Sequence, residues 1–288
     1  MPEPINDLAA FEDCDIEVVV RDEVKLAMSR YQHQAHPCAI LLAGQPGAGK
    51  TELSSMLSSE MAGDVAFING DDYRRYHPHR RQLYQEFGSD SVRMTSPFSN
   101  AVTERLIEEL SDLHFNLVIE GTGRTVQVPK STAELLTSKG YTVDMAVIAA
   151  RPEVSLISTL LRFYRMNEGG TIPRATAISA HDDIVAALPG NLDVLNSLPC
   201  ISRLSIWDRE LELLFDSSLD IGLPSEVLLG YWHSSWADEE FQNAKAAIEI
   251  LREKEQHSQL GQGNAIDELA QRIEAAEMKG PALDMTTM

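Results

Sequence analysis

Gly44-Gln45-Pro46-Gly47-Ala48-Gly49-Lys50-Thr51 follows the apolar run Ala39-Ile40-Leu41-Leu42-Ala43 and precedes Glu52-Leu53-Ser54-Ser55-Met56-Leu57. The order is that of a buried strand, a glycine-rich loop and the start of a helix. Glycines let successive backbone N–H groups turn inward on phosphate oxygens, and the helix N-terminus adds the positive end of its dipole. A lysine placed as Lys50 is reaches the β- and γ-phosphates, and a hydroxyl placed as in Thr51 serves Mg²⁺. The segment is therefore read as a phosphate-binding P-loop. In a strand-to-helix turn that bound nothing, Lys50 would have no purpose.

Working outward, the pattern predicts a helix over 16–31, packed on the outside of a sheet, and then an alternation of strands and helices. Strands are expected at 39–43, 65–68, 115–119 and 143–150, with helices at 50–61, about 98–111 and about 129–138. Such alternation implies right-handed crossovers and an α/β fold with a mostly parallel sheet covered by helices on both faces. Past Pro152 come helices near 153–166 and 175–187, then Leu204-Ser205-Ile206-Trp207 as a last strand. Phe241, Ala244, Ile248 and Leu251, and again Ile266, Leu269 and Ile273, keep helical spacing. This divides the chain into an N-terminal helical segment (1–37), a core (38–216) with a lid near 162–176, and an acidic helical C-terminal extension (217–288).

The 288 residues are 43% hydrophobic, enough for a proper core, and carry a formal charge of −20. From Asp208 onward 17 acidic residues face 6 basic ones, so the last stretch holds more than half of the excess. That balance disfavours nucleic acid and anionic lipid as partners. No uninterrupted apolar run of about 18 residues is present and no basic-then-apolar leader, so a cytoplasmic protein is expected. Cys14, Cys38 and Cys200 have neither disulfide nor zinc spacing and are read as buried or incidental thiols.

Ligands of parallel sheets bind beyond the carboxyl ends of the strands, so the residues just past each strand are the candidates for chemistry. After 65–68 come Asn69-Gly70-Asp71-Asp72. Only one βα unit separates them from the P-loop, so they are expected to open into the same cleft. Asp71 is either the carboxylate that accepts an acceptor hydroxyl's proton or a helix cap, with Asp72 the better candidate for the cap. After 115–119 come Glu120-Gly121-Thr122-Gly123-Arg124-Thr125. Glu120 suits sugar hydroxyls or a metal-bound water, and Arg124 a substrate phosphate; the alternative is a turn with a solvated arginine. Arg162 and Arg165 share a helix, and Arg174 follows Gly169-Gly170-Thr171-Ile172-Pro173, the composition of a mobile lid. Arginines closing over a γ-phosphate neutralise charge developing in transfer, and Arg162 and Arg174 are preferred for this. His181-Asp182 reads as a helix-surface pair or a ligand.

Together with Ser96-Pro97-Phe98-Ser99-Asn100, with Asn116-Leu117-Val118-Ile119 leading into Glu120-Gly121-Thr122-Gly123-Arg124-Thr125, and with Ala180-His181-Asp182 before Leu188-Pro189, these motifs resemble the zeta toxin family over roughly residues 38–215. The resemblance implies a P-loop kinase fold and a toxin that uses ATP or GTP with Mg²⁺ to phosphorylate the 3′-hydroxyl of the aminosugar in UDP-N-acetylglucosamine, blocking peptidoglycan synthesis. It also implies a small helical antitoxin as partner. Under it Lys50 is the phosphate lysine, Thr51 the Mg²⁺ hydroxyl, Asp71 the base, and Arg162 and Arg174 the lid arginines. Glu104, Glu120, Arg124 and Thr132 fall where the UDP-sugar is gripped. The residues alone leave open a kinase of another small-molecule hydroxyl, such as a nucleoside, an antibiotic or NAD, and a nucleotide-dependent switch without transfer.

Overall fold

The computed structural model describes residues 7–278; the first six and last ten residues of the expected terminal segments lie outside that range. The elements in chain order are α1 (Asp13–Arg30), β1 (Cys38–Ala43), α2 (Lys50–Glu60), β2 (Ala66–Asn69), α3 (Gly70–Tyr73), α4 (Arg80–Phe87), α5 (Ser91–Asp112), β3 (Leu117–Glu120), α6 (Gln127–Ser138), β4 (Thr142–Ile148), α7 (Pro152–Glu168), α8 (Ile178–Asn196), β5 (Arg203–Trp207), β6 (Leu213–Asp216), α9 (Pro224–His233), α10 (Asp238–Ser258) and α11 (Gly263–Met278).

The strands form one sheet in the order β2-β3-β1-β4-β5-β6. The first five are mutually parallel and β6 returns antiparallel to β5. Strand β1 shows why the sheet is covered on both sides. Its side chains alternate, Ala39, Leu41 and Ala43 joining one apolar cluster with α1, α5 and α8, while Ile40 and Leu42 join another with Leu53 and Leu57 of α2. A third cluster unites α7 (Leu156, Leu160, Tyr164) with Phe241, Ile248 and Leu251 of α10 and Ile266, Leu269 and Ile273 of α11. Between these, Leu228 and Trp232 of α9 enter the first cluster.

Three features depart from the sequence-based expectation. Helix α5 begins at Ser91 and continues through Pro97, seven residues before the expected start. Proline removes the N–H that would bond to the Arg93 carbonyl, and the turn before it is braced by side chains: the hydroxyls of Thr95 and Ser96 and the guanidinium of Arg74 all donate to the Val92 carbonyl. Helix α8 likewise runs through Pro189 to Asn196, because Leu188, Pro189, Leu192 and Leu195 are all buried against the core. Strand β6 and helices α3, α4 and α9 were not anticipated. The three cysteines are free thiols, Cys14 exposed and Cys38 and Cys200 half-buried, within the reading of buried or incidental thiols.

Candidate active site

The carboxyl ends of β1, β2 and β3 open on one edge of the sheet, but β3 lies between the other two. Register puts Leu42, Glu120 and Asn69 side by side. The cleft shared by the P-loop and Asp71 therefore runs across Glu120.

The loop's conformation requires its glycines. Gly44 (φ +143°) sits where a Cβ would come 2.7 Å from Ile148 Cγ2, and at Gly47 (φ +79°) a Cβ would run into the carbonyl oxygen of Ser155 on α7. The fully buried side chain of Gln45 ties the loop to the end of β4, its Nε2 donating to the Ala150 carbonyl at 2.6 Å. Lys50 turns back into the loop, donating to the carbonyls of Gly44 (2.8 Å) and Gln45 (3.3 Å), with Glu120 Oε1 at 3.7 Å. Burial holds the Lys50 ammonium below its ordinary pKa despite the pull of Glu120 in the other direction. Thr51 is exposed on the first turn of α2.

Asn69 organises the two acids. Its Oδ1 accepts from the Asp71 N–H at 3.0 Å, so Asn69 caps α3, not Asp71 or Asp72. Its Nδ2 donates to Glu120 Oε2, also at 3.0 Å. Asp71 is gripped by Arg74 Nε (2.9 Å) and by Arg174, which donates to the carboxylate at 3.3 Å and to the backbone carbonyl at 3.2 Å. Burial raises its pKa, but Arg174, Arg74 and Arg162 outweigh that and hold Asp71 below the usual carboxylate value. Glu120 goes the other way, raised chiefly by burial and further by Asp71 and Asp72, with Lys50 and Arg162 only partly offsetting this. Two carboxylates in one cleft are thus driven apart in acidity.

Arg162 projects from α7 toward both acids, and its Nε is buried without a hydrogen-bond partner among the described residues. An unpaired buried donor is costly; a phosphate oxygen is the kind of acceptor this one lacks. Lys50, Asp71, Glu120, Arg162 and Arg174 are therefore brought together. The remaining predicted residues stand apart. Glu104 is exposed on α5 and Thr132 half-buried on α6. Arg124 pairs with Asp183 of α8 at 3.3 Å on the surface, on a turn whose carbonyls at Gly123 and Arg124 accept from Asn191 Nδ2.

His181 is not a surface residue. It is fully buried, with Nε2 2.7 Å from Ser155 Oγ and Nδ1 3.3 Å from Asp182 Oδ1, and Asp182 in turn receives both terminal nitrogens of Arg272 from α11 (3.0 and 2.7 Å). Ser155 is the residue that backs Gly47. Sequence reasoning also passed over Asn69 and Arg74, although their positions beside Asp71 were a signal.

A family model described as Zeta toxin matches residues 22–220. The chain belongs to the zeta toxin family. Its relatives include Toxin PezT of Streptococcus pneumoniae serotype 4, 40% identical over 220 residues that span 75% of this chain and 86% of that protein. Toxin zeta of Streptococcus pyogenes is 33% identical over 266 residues, 92% and 93% of the two chains. Among solved structures, one from the PezAT chromosomal toxin–antitoxin system of S. pneumoniae aligns with a TM-score of 0.77 at 34% identity, covering 86% of this chain and all of that one. The AvrRxo1-ORF1:-ORF2 complex aligns with a TM-score of 0.56 at 13% identity, a likeness of fold. The zeta toxin match ends near β6. No helix among the described residues is long and apolar enough to cross a membrane.

Proposed function

We propose that this zeta toxin family member is a kinase that transfers the γ-phosphoryl group of ATP or GTP to the 3′-hydroxyl of the aminosugar in UDP-N-acetylglucosamine, in the bacterial cytoplasm. The observation that carries the reading is the convergence of Lys50, Arg162 and Arg174 on a cleft that also holds Asp71 and Glu120. A switch without transfer has no acceptor hydroxyl whose proton a carboxylate must take. A phosphoryl transferase has one.

In this mechanism the P-loop N–H groups and Lys50 bind the β- and γ-phosphates, the lysine giving up its bonds to the loop carbonyls. The Asp71 carboxylate, kept ionised by its arginines, orients the sugar hydroxyl and accepts its proton as the new O–P bond forms and the bond to the β-phosphate oxygen breaks. Arg162 and Arg174 balance the charge on the transferred group. Arg174 hands Asp71 to the acceptor as it moves onto the phosphate.

The residues present also fit Mg²⁺. Among the described residues no group of three or more His, Cys, Asp or Glu side chains could hold a metal, so a cation here would depend on the Thr51 hydroxyl, phosphate oxygens and water, the pattern Mg²⁺ prefers. The Thr51 hydroxyl would hold such a cation, which would supply charge neutralisation to the phosphates. Glu104, Glu120, Arg124 and Thr132 grip the UDP-sugar in this reading. A small helical antitoxin that covers the nucleotide site is the expected partner, in keeping with the toxin–antitoxin system of the similar S. pneumoniae structure.

The test is mass spectrometry of UDP-N-acetylglucosamine incubated with Mg²⁺-ATP and the wild-type, Lys50→Ala or Asp71→Ala protein. A sugar nucleotide heavier by one phosphate from wild type alone is the expected result. Absence of that product with every UDP-sugar tried, while ATP still binds, refutes the substrate.

A further inference from the structure

Arg74-Arg75-Tyr76-His77-Pro78-His79-Arg80-Arg81 concentrates four arginines in a chain whose formal charge is −20. Arg74 is committed to Asp71, and Arg75 lies over the Tyr76 ring and 3.9 Å from Glu23. The side chains of Arg80 and Arg81 make no hydrogen bond or ion pair with any described residue. They also open α4, where the helix dipole already presents positive charge, the Arg80 N–H itself donating to the His77 carbonyl at 3.1 Å. Burial and the nearby Arg174, Arg81 and Arg75 all press on Arg80, lowering its pKa. In an isolated protein that arrangement is unfavourable, and nothing on the fold's interior explains it.

A cavity does. Arg80, Arg81 and Tyr84 form one wall of a space of about 370 Å³ whose other wall is Gly170, Thr171 and Ile172 of the loop between α7 and α8. A second space of about 200 Å³ shares Arg80, Thr171 and Ile172 and runs on to Arg75, Arg174 and Asp71. The two walls together contain five arginines and two aspartates, and one of those, Asp71, is already held by Arg74 and Arg174.

We propose that this double cavity is a diphosphate-binding subsite in which Arg80 and Arg81, with the positive end of the α4 dipole, hold the diphosphate of the acceptor while its sugar reaches Asp71. The assignment of the diphosphate to the acceptor rests on the kinase reading above. Arginine forks suit adjacent phosphate oxygens, and Tyr84 offers a ring at the outer end against which a base can stack. Arg124, the other arginine assigned to the acceptor, is paired with Asp183 at 3.3 Å, whereas Arg80 and Arg81 have no carboxylate partner among the described residues. Closure of the loop onto the diphosphate would carry Arg174 with it, since Arg174 comes only a few residues after Thr171 and Ile172.

The experiment titrates inorganic pyrophosphate calorimetrically into full-length protein carrying Lys50→Ala, which disables the P-loop as a competing site. Binding is expected, weakened about tenfold for each of Arg80→Gln and Arg81→Gln and only partly by Arg80→Lys, with Arg21→Gln, an exposed arginine of α1, without effect. Circular dichroism verifies that each variant is folded. With Lys50 intact, the double Gln variant is expected to raise KM for UDP-N-acetylglucosamine while leaving KM for ATP unchanged. Failure of pyrophosphate to bind, or binding indifferent to Arg80 and Arg81, overturns the subsite. Binding that depends on the pair, with no UDP-sugar phosphorylated, upholds the subsite and refutes UDP-N-acetylglucosamine as the acceptor.

Discussion

Lys50 and Glu120 face each other at 3.7 Å where β1 and β3 end, and both are pushed toward their neutral forms. Burial is the leading cause for each, so the cost of removing two charges from water exceeds what the pair recovers. Glu120 competes with an incoming phosphate for the lysine. Substituting Glu120→Gln should therefore tighten nucleotide binding and lower turnover, whereas Lys50→Ala should weaken binding and cut turnover by about 10²–10³-fold. Equilibrium binding of a fluorescent ATP analogue and steady-state rates measure both, and weaker binding in Glu120→Gln would contradict the account.

Glu120 and Asp71 together govern the acid side of the pH profile. As pH falls, Glu120, whose pKa is raised, protonates before Asp71, whose pKa is lowered. The acid limb of kcat/KM in the wild-type protein should thus report Glu120, and in Glu120→Gln it should move to lower pH, where Asp71 protonates. An acid limb that stays in place would remove Glu120 from the reaction.

Gly47 and Gly190 should respond oppositely to alanine. At Gly47 a Cβ meets the Ser155 carbonyl from a positive φ, while at Gly190 of α8 no atom lies within 4 Å and φ is ordinary. Gly47→Ala is expected to abolish the rise in melting temperature produced by ATP. Gly190→Ala should keep that rise and add about 0.5–1 kcal/mol of stability. Thermal melts with and without nucleotide make the comparison.

Arg151 locks the C-terminal helices to the edge of the nucleotide site. It is 5% exposed, reaches both oxygens of Glu240, and donates to the carbonyls of Trp232, Ser234 and Ser235. Its backbone neighbour Ala150 receives Gln45 of the P-loop. Arg151→Ala leaves a carboxylate and three carbonyls unpaired and should cost about 3–5 kcal/mol in urea unfolding. Hydrogen exchange should speed up in α10 first.

Acid stability should depend on Asp216. Arg203 bonds to it at 2.6 and 2.9 Å and, against the opposing effect of burial, holds its folded pKa far below the ordinary 3.8. A depressed carboxylate contributes stability above its unfolded pKa and loses it as pH falls toward the folded one. Asp216→Asn should be less stable than wild type at pH 7, and the gap should begin to narrow as pH falls below about 4 and keep shrinking toward the folded pKa. A gap that persists in acid would assign the loss to packing.

Much of the architecture was legible because its signals are local. An apolar run, a glycine loop and a helix start are contiguous between Ala39 and Leu57, and strand ends declare themselves by the acids and glycines just past them. Helices that cross Pro97 and Pro189 were not legible, since one of the side chains that brace the first, Arg74, comes from another element and the second is held by burial against the core. The unpaired Arg80 and Arg81 were likewise silent, because an arginine's lack of a partner is a property of its surroundings.

The sequence by itself determined that a phosphate-binding loop would stand at the end of a buried parallel strand, with Asp71 and Glu120 at the ends of two others. Tertiary structure decided which acid met Lys50, by threading β3 between β1 and β2. It also turned His181 inward, onto the serine that backs Gly47. Side-chain periodicity is set within a few residues by backbone geometry, whereas strand order and the neighbours of a buried charge depend on contacts between segments far apart in the chain.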